Sequence, residues 1–219
     1  MSQYRNDSDS RQQVVDGLRW LVEQGLTSGT SGNVSVAAGD DRMLITPTGI
    51  APADLQPEHI VYMNLDGSVA DDQLTPSSEW RMHADIYRNK PGLEAVVHCH
   101  SNYATVLACA RKPIPALHYM VAATGANGVP LADYATFGTQ SLSDAVIAAL
   151  DGALACLMSN HGQLTTGMRL DGALKLAEMV EEFARWYWGV LAMGTGPVLL
   201  DAGQMDEVLA AFAGYGQQK

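Results

Sequence analysis

Between Arg11 and Leu26 the apolar residues Val14, Val15, Leu18, Leu21 and Val22 return every three or four positions, and Gly25 follows where a left-handed cap closes a helix. The spacing predicts a first amphipathic helix. The period then falls to two, predicting short strands over Asn33–Ala37 and Met43–Thr46 around a Gly-Asp-Asp turn. Two further short strands are expected around Asp66-Gly67. Beyond Ser77-Ser78, Trp80, His83 and Tyr87 recur at helical spacing, which predicts a capped helix over 75–89 with Glu79 in its first turn. The run Glu94–His100 reads as a strand, 102–110 and 140–150 as helices, and 152–162 as another strand. Two more helices are expected over 171–191 and 205–216.

No internal repeat or low-complexity linker marks a boundary, so residues 1–219 are expected to form one domain, with the polar residues 1–9 as a disordered tail. Strands and helices alternate irregularly and several connections are hairpin-short. That order predicts a mixed or largely antiparallel sheet with helices packed on it. A Rossmann fold is not expected, because the glycine-rich loop lacks G-x-G-x-x-G.

The 219 residues are 47% hydrophobic, enough for one sizeable core. No apolar run approaches the roughly 18 residues of a membrane span, and the first residues contain no apolar export segment. A soluble, cytoplasmic protein is expected. Its formal charge of −11 disfavours nucleic acid and anionic membranes as partners. Cys99, Cys109 and Cys156 each lie in apolar segments and form no even-numbered disulfide framework, which suits a reducing compartment.

Against this background the histidines stand out. On a strand, His98 and His100 share one face, and His161 sits just past another apolar strand, in a turn marked by Asn160 and Gly162. Three neutral imidazoles from two strand ends would make a catalytic metal site with a position open for substrate. The alternative is hydrogen-bonded core or surface histidines. His59 and His83 suit that plainer reading, and His118 adjoins Tyr119 in a loop of undetermined placement. Glu79 is either a carboxylate favoured by the helix dipole or a general base aimed at the metal. Ser77 and Ser78 with the N–H groups of that first turn would suit a phosphate, as would the loops Gly29–Asn33 and Thr46–Gly49.

The ordered motifs GTSGNVSV, LITPTGI, SSEWRMH, AVVHCHSNYA, IPALHYM, YATFGT and SNHG together resemble the class II aldolase/adducin family over nearly the whole chain. The resemblance implies an α/β fold, a single-domain three-layer αβα sandwich with a central mixed, largely antiparallel sheet. It implies Zn2+ held by His98, His100 and His161, with Glu79 as the acid/base that also approaches the metal. A phosphate pocket would fall on Gly32, Asn33, Thr48, Gly49, Ser77 and Ser78. Tyr119 would reach a neighbouring subunit's site and protonate the aldehyde oxygen, and Tyr215 would cover the site. A homotetramer with active sites between subunits is implied as well.

The implied reaction cleaves a ketose 1-phosphate, L-fuculose 1-phosphate first among them, to dihydroxyacetone phosphate and an aldehyde such as L-lactaldehyde through a metal-stabilised enediolate. Aldolases for other deoxy-ketose 1-phosphates, sugar-phosphate 4-epimerases, sugar-acid phosphate decarboxylases and non-catalytic adducin-like scaffolds share the motifs in part. Epimerases typically carry aspartate where this chain has Glu79. Gln163 departs from the apolar residue usual after Asn-His-Gly, which points to an altered metal affinity or aldehyde preference.

Overall fold

In the computed structural model, which describes residues 2–39 and 41–212, helix α1 spans Ser8–Glu23. It begins upstream of the periodic stretch because the Asp7 carboxylate accepts from the Ser10 N–H and caps it. Val14, Val15, Leu18 and Leu21 are buried, and Gly25 takes φ +69° just beyond the end. The first residues are not a free tail. Tyr4 is buried, its hydroxyl accepts from the Leu170 N–H, and Ser2 donates to the Ala37 carbonyl. A polar composition concealed one anchoring aromatic.

The described residues form a seven-stranded sheet from β1 (Asn33–Ala37), β2 (Arg42–Ile45), β3 (Val61–Asn64), β4 (Ala95–Cys99), β5 (Leu131–Ala132), β6 (Ala155–Met158) and β7 (Gly162–Gly167). Their order is β3-β2-β1-β4-β7-β6-β5, and only the β5–β6 pair is parallel. Helices α2 (Trp80–Asn89) and α4 (Gln140–Ala149) pack on one face through Met82, Ile86, Leu142 and Val146. The other face meets α1, α3 (Asn102–Cys109) and α5 (Leu170–Ala192), while α6 (Ala202–Phe212) packs Met205 beside Ala116 and Ala122. The expected mixed, largely antiparallel sheet between helices is what the chain forms.

Strand alternation decides where chemistry can stand. Val97 and Cys99 belong to the core under α1, whereas Val96 packs with α2 and α4 and His98 shares its face. The expected hairpin at Asp66-Gly67 reduces to β3 and a single bridge between Met63 and Val69. A larger difference lies at β7, since the predicted strand does not stop at Gly162 but turns and returns between β4 and β6. Leu164 alone is strongly apolar there, so no hydrophobic signal announces the strand. Its buried polar side chains make hydrogen bonds instead, Gln163 Oε1 alone having no partner among the described residues: Gln163 Nε2 donates to Ser101 Oγ and the Ala177 carbonyl, Thr165 to Ala173, and Thr166 to Leu154.

Candidate active site

Three neighbouring pieces of backbone build the site. His98 comes from β4, opposite Asn33 of β1, and His100 from the residue just beyond the strand. His161 stands in the three-residue turn joining β6 to β7, where Asn160 adopts φ +55°. That turn is tied to α3, because the Asn160 N–H donates to the Ala108 carbonyl and Arg111 Nε donates to Asn160 Oδ1 at 3.0 Å. A Cβ on Gly162 would stand 2.6 Å from the Cys99 carbonyl oxygen and 2.8 Å from the His100 ring. Only glycine lets the hairpin approach this closely.

The three imidazoles consequently face one another. His98 and His100 Nε2 lie 3.1 Å apart, and one nitrogen from each of the three rings falls within 4.8 Å of the others. His98 Nδ1 donates to the Gln163 carbonyl at 2.8 Å, which leaves Nε2 as the atom facing the cluster. Glu79 completes it, with Oε2 3.3 Å from His98 Nε2 and Oε1 3.2 Å from His161 Nε2. Contrary to expectation, Glu79 is not in the first helical turn. It is the N-cap residue of α2, at φ −97° and ψ 13°, and its side chain caps nothing. The carboxylate turns inward to the histidines, with Oε2 accepting from Asn33 Nδ2 at 2.9 Å.

Charge follows this geometry. Burial opposes ionisation of Glu79, but the His98 and His161 rings and the Asn33 amide outweigh it and hold the carboxyl well below its usual range. For His98 burial favours the neutral ring, while Glu79 and the Gln163 carbonyl together raise it. His100 and His161 are pushed down to about 4, by burial first and by the neighbouring His98 second. Glu79 Oε1 is buried, with no hydrogen-bond partner among the described residues. An unpartnered carboxylate oxygen beside three imidazole nitrogens is a donor set that fits a divalent transition metal, and His98, His100 and His161 can hold one.

A cavity of about 350 Å³ opens over the cluster. Of the expected phosphate residues, Gly32, Asn33, Thr48, Ser77 and Ser78 line it and Gly49 does not. The Asn33 side chain is bonded to Glu79 and His83, and the Ser77 N–H to the Thr46 carbonyl, so among these expected residues the hydroxyls of Thr48, Ser77 and Ser78 are the side-chain donors an anion would meet there. Tyr134 and Phe137 also line the cavity, a role no periodicity signals although both lie in the quoted YATFGT motif. Arg81 donates to the Gly138 carbonyl at 2.9 Å and holds that segment against α2.

The remaining expectations divide. Tyr119 is 50% exposed, lies against His118 and is not part of its own chain's cavity wall. Tyr215 lies outside the described residues. His59 closes a short 3-10 turn, and His118 packs on Trp186. His83, read as a plain helix-face residue, is fully buried with its ring hydrogen-bonded to Ser35 and Asn33.

With this geometry in place, comparison with known proteins identifies the class. A family model described as "Class II Aldolase and Adducin N-terminal domain" matches residues 12–188. The chain is 47% identical over 206 residues to a 5-methylthioribulose-1-phosphate/5-deoxyribulose-1-phosphate aldolase of Rhodospirillum rubrum, covering 94% of this chain and 92% of that protein. It is 43% identical over 205 residues to an L-fuculose phosphate aldolase of Escherichia coli strain K12, with 93% and 94% covered. A solved structure of an L-fuculose 1-phosphate aldolase superposes with a TM-score of 0.89 at 38% identity, covering 94% of this chain and 97% of that one. This chain belongs to the class II aldolase/adducin family and is an enzyme of the class II aldolase type.

Proposed function

We propose that the protein is a zinc-dependent aldolase that reversibly cleaves a ketose 1-phosphate to dihydroxyacetone phosphate and a small aldehyde. The observation that carries this reading is the convergence, at a hydroxyl-lined cavity, of His98, His100, His161 and a Glu79 Oε1 that accepts no hydrogen bond among the described residues. The three imidazoles would hold the ion, which when bound supplies a Lewis acid for the charge that carbon–carbon cleavage leaves on the ketone half. The hydroxyls of Thr48, Ser77 and Ser78 bind the phosphate, which sets the reacting carbon against Glu79. In cleavage, the hydroxyl beside the breaking bond passes its proton to water as its carbon becomes the aldehyde. Glu79, having taken a proton from water, delivers it to the carbon of the ketone half, and condensation reverses both transfers.

Tyr119, half exposed and away from its own cavity, suits a role at the aldehyde oxygen of a neighbouring copy, which makes a homotetramer with shared sites part of this reading. Tyr215 would cover the site. Cytoplasmic action accords with three unpaired cysteines, and no helix among the described residues is long and apolar enough to cross a membrane.

For the sugar, L-fuculose 1-phosphate is one substrate the reading supports. A second is a 5-deoxy- or 5-methylthioribulose 1-phosphate, favoured by the aromatic wall of Tyr134 and Phe137 and by the Rhodospirillum relative. All three deliver aldehydes with an apolar end. The test is cleavage of each, coupled to detection of dihydroxyacetone phosphate, on as-purified, chelator-treated and zinc-restored protein. Activity lost with chelator and regained with zinc is expected, and the largest kcat/KM assigns the sugar. Inactivity of fully metallated protein toward all three would overturn the reading.

A further inference from the structure

A line of buried polar side chains runs to Glu79, and none of the roles above uses its far end. Tyr87 Oη and Ser35 Oγ are 2.6 Å apart, Ser35 Oγ and His83 Nδ1 2.7 Å, and His83 Nε2 and Asn33 Oδ1 2.5 Å. Asn33 Nδ2 then donates to Glu79 Oε2. Ser35 and His83 are fully buried, and Asn33 is 4% exposed. Burying this many polar atoms is costly unless each is bonded, and here they bond one another in series.

The direction of every bond follows from the carboxylate end. An ionised Glu79 oxygen only accepts, so the Asn33 amide presents its NH2 to Glu79 and its oxygen to His83. That oxygen also only accepts, which puts the His83 proton on Nε2 and leaves Nδ1 to accept from the Ser35 hydroxyl. Ser35 in turn accepts from Tyr87. All donors point toward Glu79. Without a donor at His83, the near-symmetric Asn33 amide can turn over and set its own oxygen against the carboxylate.

We propose that His83 is a positioning residue for Glu79: acting through Asn33, it holds Oε2 in place so that Oε1 alone serves the reacting proton. The inference rests on the reading of Glu79 as the acid/base. Burial keeps the His83 ring neutral, pushing it down to about 3, which is the state the chain of donors requires.

The test uses exchange of solvent deuterium into dihydroxyacetone phosphate by metal-loaded protein, a step that needs the base and no aldehyde. Relative to the native protein, His83→Phe should slow both exchange and kcat about 10–100-fold, the usual effect of removing an outer-shell partner. KM and metal content should stay nearly unchanged. His83→Gln, whose amide nitrogen can reach the Nε2 position, should restore most of the loss. Native exchange with an equally fast His83→Phe would overturn the inference, whereas no exchange by the native protein would remove the Glu79 reading first. Should His83→Phe fail to fold, nitrogen-15 NMR of the native zinc protein decides: a proton on Nε2 of His83 is expected, and one on Nδ1 would overturn the proposal.

Discussion

Gln163 reaches His98 through its main chain, its carbonyl accepting from His98 Nδ1 at 2.8 Å while its side chain points to Ser101 and Ala177. The His98 ring, whose Nε2 faces the other two imidazoles, is therefore oriented by an atom no substitution at position 163 removes.

Gln163→Leu should accordingly retain its metal. The variant loses two side-chain hydrogen bonds but also removes Gln163 Oε1, a buried oxygen without a partner. These effects oppose each other, so stability should move by no more than about 1–2 kcal/mol. Metal analysis and thermal unfolding check this, and loss of metal would show that the side chain supports His98 after all.

Glu79→Gln should bind zinc yet lose about 10²–10⁴-fold in kcat, because the amide cannot accept and return the proton. Steady-state cleavage with metal quantified in the same sample is the measurement. Ordinary turnover would remove Glu79 as acid/base.

His161→Ala should purify without its metal. The turn that carries His161 is held to α3 by Asn160, so the hairpin persists while the donor set falls to two imidazoles. Full occupancy in the folded variant would refute the ligand triad.

Metal uptake should displace about one proton at about pH 6. His100 and His161, held at about 4, are already neutral there, whereas Glu79 and the Gln163 carbonyl raise His98 and keep its proton on. Affinity should fall as pH drops, and calorimetry in buffers of different ionisation heat counts the proton. Release of three would contradict this arrangement.

Gly138→Ala should disturb the cavity wall that carries Tyr134 and Phe137. Gly138 sits at φ +74°, and a Cβ there would stand 2.7 Å from the Ser78 carbonyl oxygen. A stability loss of about 1–3 kcal/mol is expected, with KM raised more than kcat is lowered. An unchanged KM would mean the segment carrying Tyr134 and Phe137 does not shape binding.

Much of this was legible in the chain alone. Val14 to Leu21, Leu174 to Val180 and the run into His98 bury large apolar faces at a regular period, and burial of such faces is the dominant local signal of helix and strand. Two histidines one residue apart at the end of an apolar run and a third after Asn160 were likewise legible, whereas their meeting depends on β7 pairing with β4. Tertiary structure alone decided the rest. β7 is a central strand because Gln163, Thr165 and Thr166 find partners on Ser101, α5 and the segment before β6, and hydrogen bonds between distant residues leave no periodic trace. Glu79 became a site residue when α2 began only at Trp80, leaving its carboxylate outside the helix and free to turn toward His98 and His161. His83 stood on a recognisable helix face, but its importance depends on Asn33 lying across from it, a pairing that exists only once β1 and α2 have packed.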